Sequence, residues 1–188
     1  MTNLPPAIKP DLTSLPCPAT PEQFVTFLGA NDIPFERRDH EAVFTVEESV
    51  GLRGTIPGAH SKNLFLKDKK GRLFLVSARE DARIDLKRLH EVIGASGRVS
   101  FCSGEALMDK LGVMPGSVTA FAVINDRAGE VTMVLDANLA RAPLVNFHPL
   151  ANTATLTITT PDLLRFFALA NHAPLIVDLP QPPDGQSA

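Results

Sequence analysis

Apolar residues along the chain switch between a spacing near 3.6 and a spacing of two, and these switches mark out alternating helices and strands. In TPEQFVTFLGAND, Phe24, Phe27 and Leu28 fall on one helical face behind Thr20 as N-cap, Pro21 at the first helical position and Glu22 in the first turn. A helix over about 21–30 is predicted. IPFERRDH reads as a short strand and TVEESVGL as a helix from about Thr45. KNLFLKD and RLFLVSAR read as paired strands joined by the turn KDKKGR, with Gly71 supplying the turn. DLKRLHEVIGA is predicted helical, RVSFCS a strand, and SGEALMDKLG a helix capped by Ser103 and stopped at Gly112. VTAFAVIN, EVTMVLDA, PLVNFHP and ATLTIT are predicted strands, TPDLLRFFALAN a helix, and PLIVDL the last strand.

Composition fits this pattern. A chain of 188 residues with 44% hydrophobic content can bury one substantial core, so a single α/β domain over 20–179 is expected. The proline-rich stretches 1–19 and 180–188 read as poorly packed tails. There is no apolar leader pattern and no run of about 18 apolar residues, which points to a soluble, cytoplasmic protein with no membrane partner. Cys17 and Cys102 form no CxxC motif, and the five histidines show no metal-ligand spacing. Neither a disulfide scaffold, a metal site nor a cofactor is expected. GLRGTIPGAHSK lacks the order of a P-loop, so nucleotide hydrolysis is not indicated.

Charge adds a location. The net charge is −3, yet residues 53–98 hold eleven basic groups against five acidic ones, a local excess of six on an otherwise acidic chain. Such a section suits a local contact with one polyanion, although a solvated face gives the same count.

Four motifs in order, HEAVFTVEES (40–49), GAHSKNLFLKDKKGRLFLV (58–76), LGVMPGSVTAFAVIND (111–126) and NFHPLANTATLTI (146–158), resemble the YbaK/ProX aminoacyl-tRNA editing domains over about residues 21–178. Among these the freestanding alanyl-tRNA(Pro) deacylases are the nearest. The resemblance implies a mixed, largely antiparallel central sheet with surrounding helices, and a hydrolase acting on the acceptor end of mischarged tRNA(Pro). It places the family's site lysine on Lys62 and the polar residue after it on Asn63, the two facing the 3′ end together. It also places the motif histidines on His148 and His40, and a glycine-x-x-x-proline loop on Gly116, Ser117, Val118, Thr119 and Ala120, where alanine replaces the expected proline. Val43, Phe44, Val46 and Ile56 are candidates for the pocket wall, and Lys69, Lys70, Arg72 and Arg79 for tRNA contacts.

The chemistry needs few groups. An aminoacyl ester is already activated and its neighbouring ribose hydroxyl can assist, so positioning and an oxyanion cradle carry most of the work. Cys102 reads as a small core residue rather than a nucleophile, since no histidine is adjacent in sequence. A synthetase cannot exclude a smaller amino acid by size, so mischarging with alanine calls for a second, smaller site. A chain of this length acts in trans, meeting prolyl-tRNA synthetase or an elongation factor only transiently. Deacylation of cysteinyl- or seryl-tRNA, a noncatalytic tRNA-end or synthetase-binding module, and a metal-dependent hydrolase of an unrelated small ester stand as alternatives.

Overall fold

A computed structural model describes residues 12–41 and 56–183. Among these, eight strands form one mixed sheet: β1 (Glu36–Asp39), β2 (Ala59–Lys67), β3 (Leu73–Arg79), β4 (Ser100–Phe101), β5 (Val131–Asp136), β6 (Leu144–Phe147), β7 (Ala154–Thr159) and β8 (Leu175–Val177). The order is β1-β7-β6-β2-β3-β5-β8, with β4 also on β2. Pairings β1–β7, β6–β7, β2–β3 and β2–β4 are antiparallel, and β2–β6, β3–β5 and β5–β8 are parallel. No helix of the described residues is long and apolar enough to cross a membrane.

The helices are α1 (Pro21–Ala30), α2 (His90–Ile93), α3 (Gly104–Leu111), α4 (Ala137–Ala140) and α5 (Thr160–Leu169). Helix α1 starts as its sequence dictates. Thr20 accepts from the Gln23 amide and the Gln23 side chain accepts from the Thr20 amide, a reciprocal capping box. Ser103 caps α3, whose chain leaves through Gly112 at φ 63. Only glycine fits there, because a side chain would meet Pro18 and Asn125.

The sheet separates two cores, and the period of two in each strand assigns its residues to one or the other. Phe65, Leu75, Met133, Val145, Phe147, Leu156 and Ile158 face the larger core with α1 and α5. Leu66, Phe74, Val76 and Val134 face the smaller one with Leu89 and Ile93. Phe121 sits at the centre of the larger core, 4.8 Å from Phe24, 5.2 Å from Phe166 and 5.4 Å from Phe147 between ring centroids. Edge-on and tilted contacts of this kind add about 0.5–1.5 kcal/mol each beyond the area they bury.

Several expectations change. VTAFAVIN is not a strand; residues Ala120–Asn125 form a 3-10 helix, every one of them buried. A continuous apolar run buried on all sides shows no period, and Thr119, whose hydroxyl accepts from the Phe121 amide, begins a helical turn instead. The helix expected over DLKRLHEVIGA shrinks to His90–Ile93. The Asp85 carboxylate takes the Lys87 amide in a local turn, and Gly94 closes the other end at φ 70. The RVSFCS strand is two residues long, and α4 follows β5 where no helix was expected, capped by Asp136. The helix from Thr45 lies outside the described residues. The described part of the proline-rich N-terminal stretch is packed rather than loose. The Ala19 amide donates to Asn125 Oδ1, the Cys17 thiol donates to the Asn125 carbonyl, and Arg127 holds the carbonyls of Leu12 and Leu15. The chain's other end is tied at Pro180, whose carbonyl accepts from the Asp85 amide.

Candidate functional site

The face of the sheet turned away from the larger core carries a band of polar side chains. In β2, His60 and Lys62 share this face with Leu64 and Leu66, while Ser61, Asn63 and Phe65 point the other way. Asn146 of β6 stands beside His60, and Thr157 of β7 stands beside Asn146, between apolar neighbours that turn into the larger core. Asn146, Thr155 and Thr157 are buried. Burial without partners would cost each of the three, and each has one. Thr157 Oγ1 donates to Asn146 Oδ1 at 2.6 Å, and Asn146 Nδ2 donates to the Pro57 carbonyl at 3.0 Å.

Lys62 is partly buried on this band, with its ammonium donating to the Ala82 carbonyl. Burial holds its pKa below the ordinary lysine value, and the carboxylates of Asp81 and Glu80 oppose that drop. Asn63 does not join it. Successive residues of a strand face opposite ways, so the expected Lys-Asn pair is split, and Asn63 Oδ1 accepts from the Ser77 hydroxyl at 2.6 Å on the other side.

Three histidines gather at the end of the band. His148 directly follows β6, and its Nδ1 lies 2.9 Å from the Ala154 carbonyl. A carbonyl only accepts, so Nδ1 carries the proton and Nε2 of the neutral ring keeps its lone pair. Burial pushes the His148 pKa down, the Ala154 hydrogen bond opposes this, and the nearby His40 and His60 push it further down. His40 lies edge-on to His148 at 6.0 Å, with Nδ1 on the Glu41 carbonyl and Nε2 on the Thr155 hydroxyl at 3.0 Å. His60 Nε2 is buried with no hydrogen-bond partner among the described residues.

Beside His60 a cleft of about 400 Å³ opens between the turn Arg79-Glu80-Asp81 and the segment Ala142-Pro143-Leu144. Gly58, at φ 100, forms its floor against Leu144, an approach a side chain would block at 2.9 Å.

The remaining expected residues separate. Gly116 turns the loop at φ 87, and the Ser117 amide is taken by the Met114 carbonyl. Ala120 is fully buried in the larger core. Ile56 is buried, whereas Val43, Phe44 and Val46 lie outside the described residues. Lys69 and Lys70 are exposed on the β2–β3 turn. Arg72 is engaged by Asp68 at 2.8 Å and by the Gly94 carbonyl, and Arg79 by Asp81 at 3.0 Å, so both serve ion pairs within the fold. Sequence reasoning missed His60, Asn146, Thr155 and Thr157. The signal was present in VNFHP and TATLTIT, where polar residues alternate with apolar ones on strands that would otherwise be wholly apolar.

The aminoacyl-tRNA editing domain model matches residues 40–166. The chain is 38% identical over 160 residues to the prolyl-tRNA synthetase associated domain-containing protein 1 of Xenopus laevis, covering 83% of this chain and 95% of that one. It is 40% identical over 126 residues to the prolyl-tRNA editing protein ProX of Acetoanaerobium sticklandii, covering 66% and 76%. The fold superposes on the crystal structure of a candidate trans-editing enzyme for prolyl tRNA synthetase with a TM-score of 0.60 at 19% identity, covering 79% and 87%. The chain belongs to the aminoacyl-tRNA editing domain family.

Proposed function

We propose that this protein hydrolyses the ester of mischarged tRNA(Pro) in trans, with alanyl-tRNA(Pro) its main substrate. One observation carries the reading: a partly desolvated lysine and a histidine with a free lone pair stand on the same polar band. The names of its relatives support prolyl-tRNA as the carrier.

In this mechanism Lys62 exchanges the Ala82 carbonyl for an oxygen of the substrate, the terminal phosphate or the ester carbonyl. Desolvation strengthens that interaction while the nearby carboxylates keep the ammonium charged. His148 Nε2 accepts a proton from water as the water oxygen attacks the ester carbon. The C–O bond to the ribose then breaks, the 3′ oxygen takes the proton back, and free alanine and uncharged tRNA leave. The buried Asn146, Thr155 and Thr157 fix the surface on which this happens. No covalent intermediate with the protein is required.

A deacylation assay with alanyl-, cysteinyl-, seryl- and prolyl-tRNA(Pro) tests the reading. Loss of the alanyl label with prolyl-tRNA spared is the expected result. Loss of the cysteinyl or seryl label instead would reassign the substrate, and loss of none would leave a binding module.

A further inference from the structure

The cleft between Arg79-Glu80-Asp81 and Ala142-Pro143-Leu144 begins where the Lys62 head group rests. That ammonium donates to the carbonyl of Ala82, the residue directly after Asp81, and Asp81 lines the cleft. His60, also in the lining, lies two residues before Lys62 on the same face of β2, about 7 Å at ~3.3 Å per residue. The volume of about 400 Å³ falls within the roughly 300–1,000 Å³ of sites that take small molecules. It is far more room than the single methyl of an alanyl group fills.

The lining selects the chemistry of an occupant. Two carboxylates, Glu80 and Asp81, stand in it against the one guanidinium of Arg79, so a phosphate is repelled. Asp81 is fixed by Arg79 through both carboxylate oxygens, at 3.0 and 3.1 Å, yet its side chain is 65% exposed. Each of those oxygens keeps a further lone pair for a donor. The His60 ring makes no hydrogen bond among the described residues, so a group that both donates and accepts can pair with it in either tautomer. A sugar hydroxyl meets both demands. Across the cleft the wall is apolar, Pro143 and Leu144, with Gly58 closing the floor against Leu144, and such a surface suits the face of a base.

We propose that this cleft binds the terminal nucleoside of the acceptor end, its 2′ hydroxyl held between Asp81 and His60 and its base laid on Pro143 and Leu144, with the ester left at Lys62. The inference rests on the deacylase reading for the ester and on the lining of the cleft for the nucleoside.

The test measures binding of adenosine, 2′-deoxyadenosine and free alanine to the parent, Asp81→Ala and His60→Ala by calorimetry. It also compares cleavage of 3′-alanyl adenosine with that of alanine methyl ester, which lacks the nucleoside. The parent is expected to bind adenosine about tenfold more tightly than 2′-deoxyadenosine, about 1.4 kcal/mol, in line with one hydrogen bond to a charged group. Asp81→Ala should bind the two nucleosides equally, and His60→Ala should bind adenosine more weakly than the parent. In Asp81→Ala, kcat/KM for 3′-alanyl adenosine should fall about tenfold further than kcat/KM for the methyl ester. That ratio cancels any change the lost carboxylate makes to Lys62. Absence of adenosine binding overturns the proposal, as does equal binding of the two nucleosides by the parent or an equal loss on both esters. Binding of alanine without adenosine overturns it in favour of the aminoacyl end. If the parent cleaves neither ester, the deacylase reading fails, and the nucleoside affinities of the parent and Asp81→Ala still decide for the cleft.

Discussion

The Lys62 ammonium donates to the carbonyl of Ala82, a residue just past the end of the strand that pairs with its own. The cation thus rests on a backbone acceptor, close to Asp81 and Glu80.

Replacing Lys62 by Ala should lower kcat/KM for alanyl-tRNA(Pro) at least about 100-fold, roughly 2.7 kcal/mol of transition-state binding. The fold should persist, because Lys62 is only partly buried and belongs to neither core. Circular dichroism and Tm check the fold. Activity within threefold of the parent would remove Lys62 from the site. Since burial lowers the Lys62 pKa, the alkaline limb of kcat/KM should fall below the ordinary lysine range, and this limb should be absent from the residual activity of the variant.

His148→Gln should lower kcat by 100-fold or more with KM little changed, as expected for loss of a proton acceptor. The parent's acid limb should lie below the ordinary histidine value, because burial keeps the ring neutral. Stability follows the same sign. In acid the unfolded chain binds a proton at His148 that the folded chain resists, so the folded state loses stability as pH falls through the ordinary histidine range. Tm of the parent should therefore drop more steeply between pH 7 and 5 than Tm of His148→Gln, and parallel Tm curves would contradict this.

Ala120→Pro tests whether the missing loop proline matters. Thr119 is extended at φ −146 and ψ 151, as a residue before proline prefers, and Ala120 is the first residue of its helix, where a proline displaces no helical hydrogen bond. The variant should fold, with stability altered by no more than about 1 kcal/mol. Parent selectivity for alanyl- over prolyl-tRNA(Pro) should be at least about 100-fold, and the substitution should change it less than tenfold. Efficient cleavage of prolyl-tRNA(Pro) by the parent would end the editing assignment.

Asp68→Asn should loosen the β2–β3 turn. Burial alone would raise the Asp68 pKa, but hydrogen bonds from the Ser96 and Arg72 amides, the Arg72 guanidinium and the Lys70 amide outweigh it and bring the value to about 2. A carboxylate held this low contributes stability above the ordinary value of 3.8 and loses it as pH falls toward about 2. Tm of Asp68→Asn should accordingly be lower than that of the parent at pH 7, and the two should converge in strong acid. A constant gap down to pH 2 would assign the effect to packing.

Most elements were legible because their ends carry explicit chemistry. Thr20 and Gln23, Ser103 and Gly112, and the Gly71 turn all act through local hydrogen bonds or backbone angles that the chain declares within a few residues. Residues 120–125 were not, since a segment buried on every side has no polar face to reveal its period. At the candidate site, Lys62 was expected from the resemblance and His60 was not, because its setting comes from Asn146 and His148, more than eighty residues away. The split of Lys62 from Asn63 was in principle open to reading from the pleat, given that Phe65 and Leu66 enter different cores.

That division of β2 between two cores makes the position of the site a matter of parity. Lys62 faces the polar band for the same reason that Leu66 faces the smaller core, a separation of four positions, an even number. Deleting one residue at Asn63 or Leu64 would leave a strand that can still pair with β3, but either the cation would turn to the opposite surface or Phe65 and Leu66 would exchange cores. Length variation is therefore barred from the eight positions between His60 and Lys67, while the turn from Asp68 to Arg72 can absorb it. Any lengthening of this protein that keeps its chemistry must be placed outside the strand, and recombination with a related chain must cut there too.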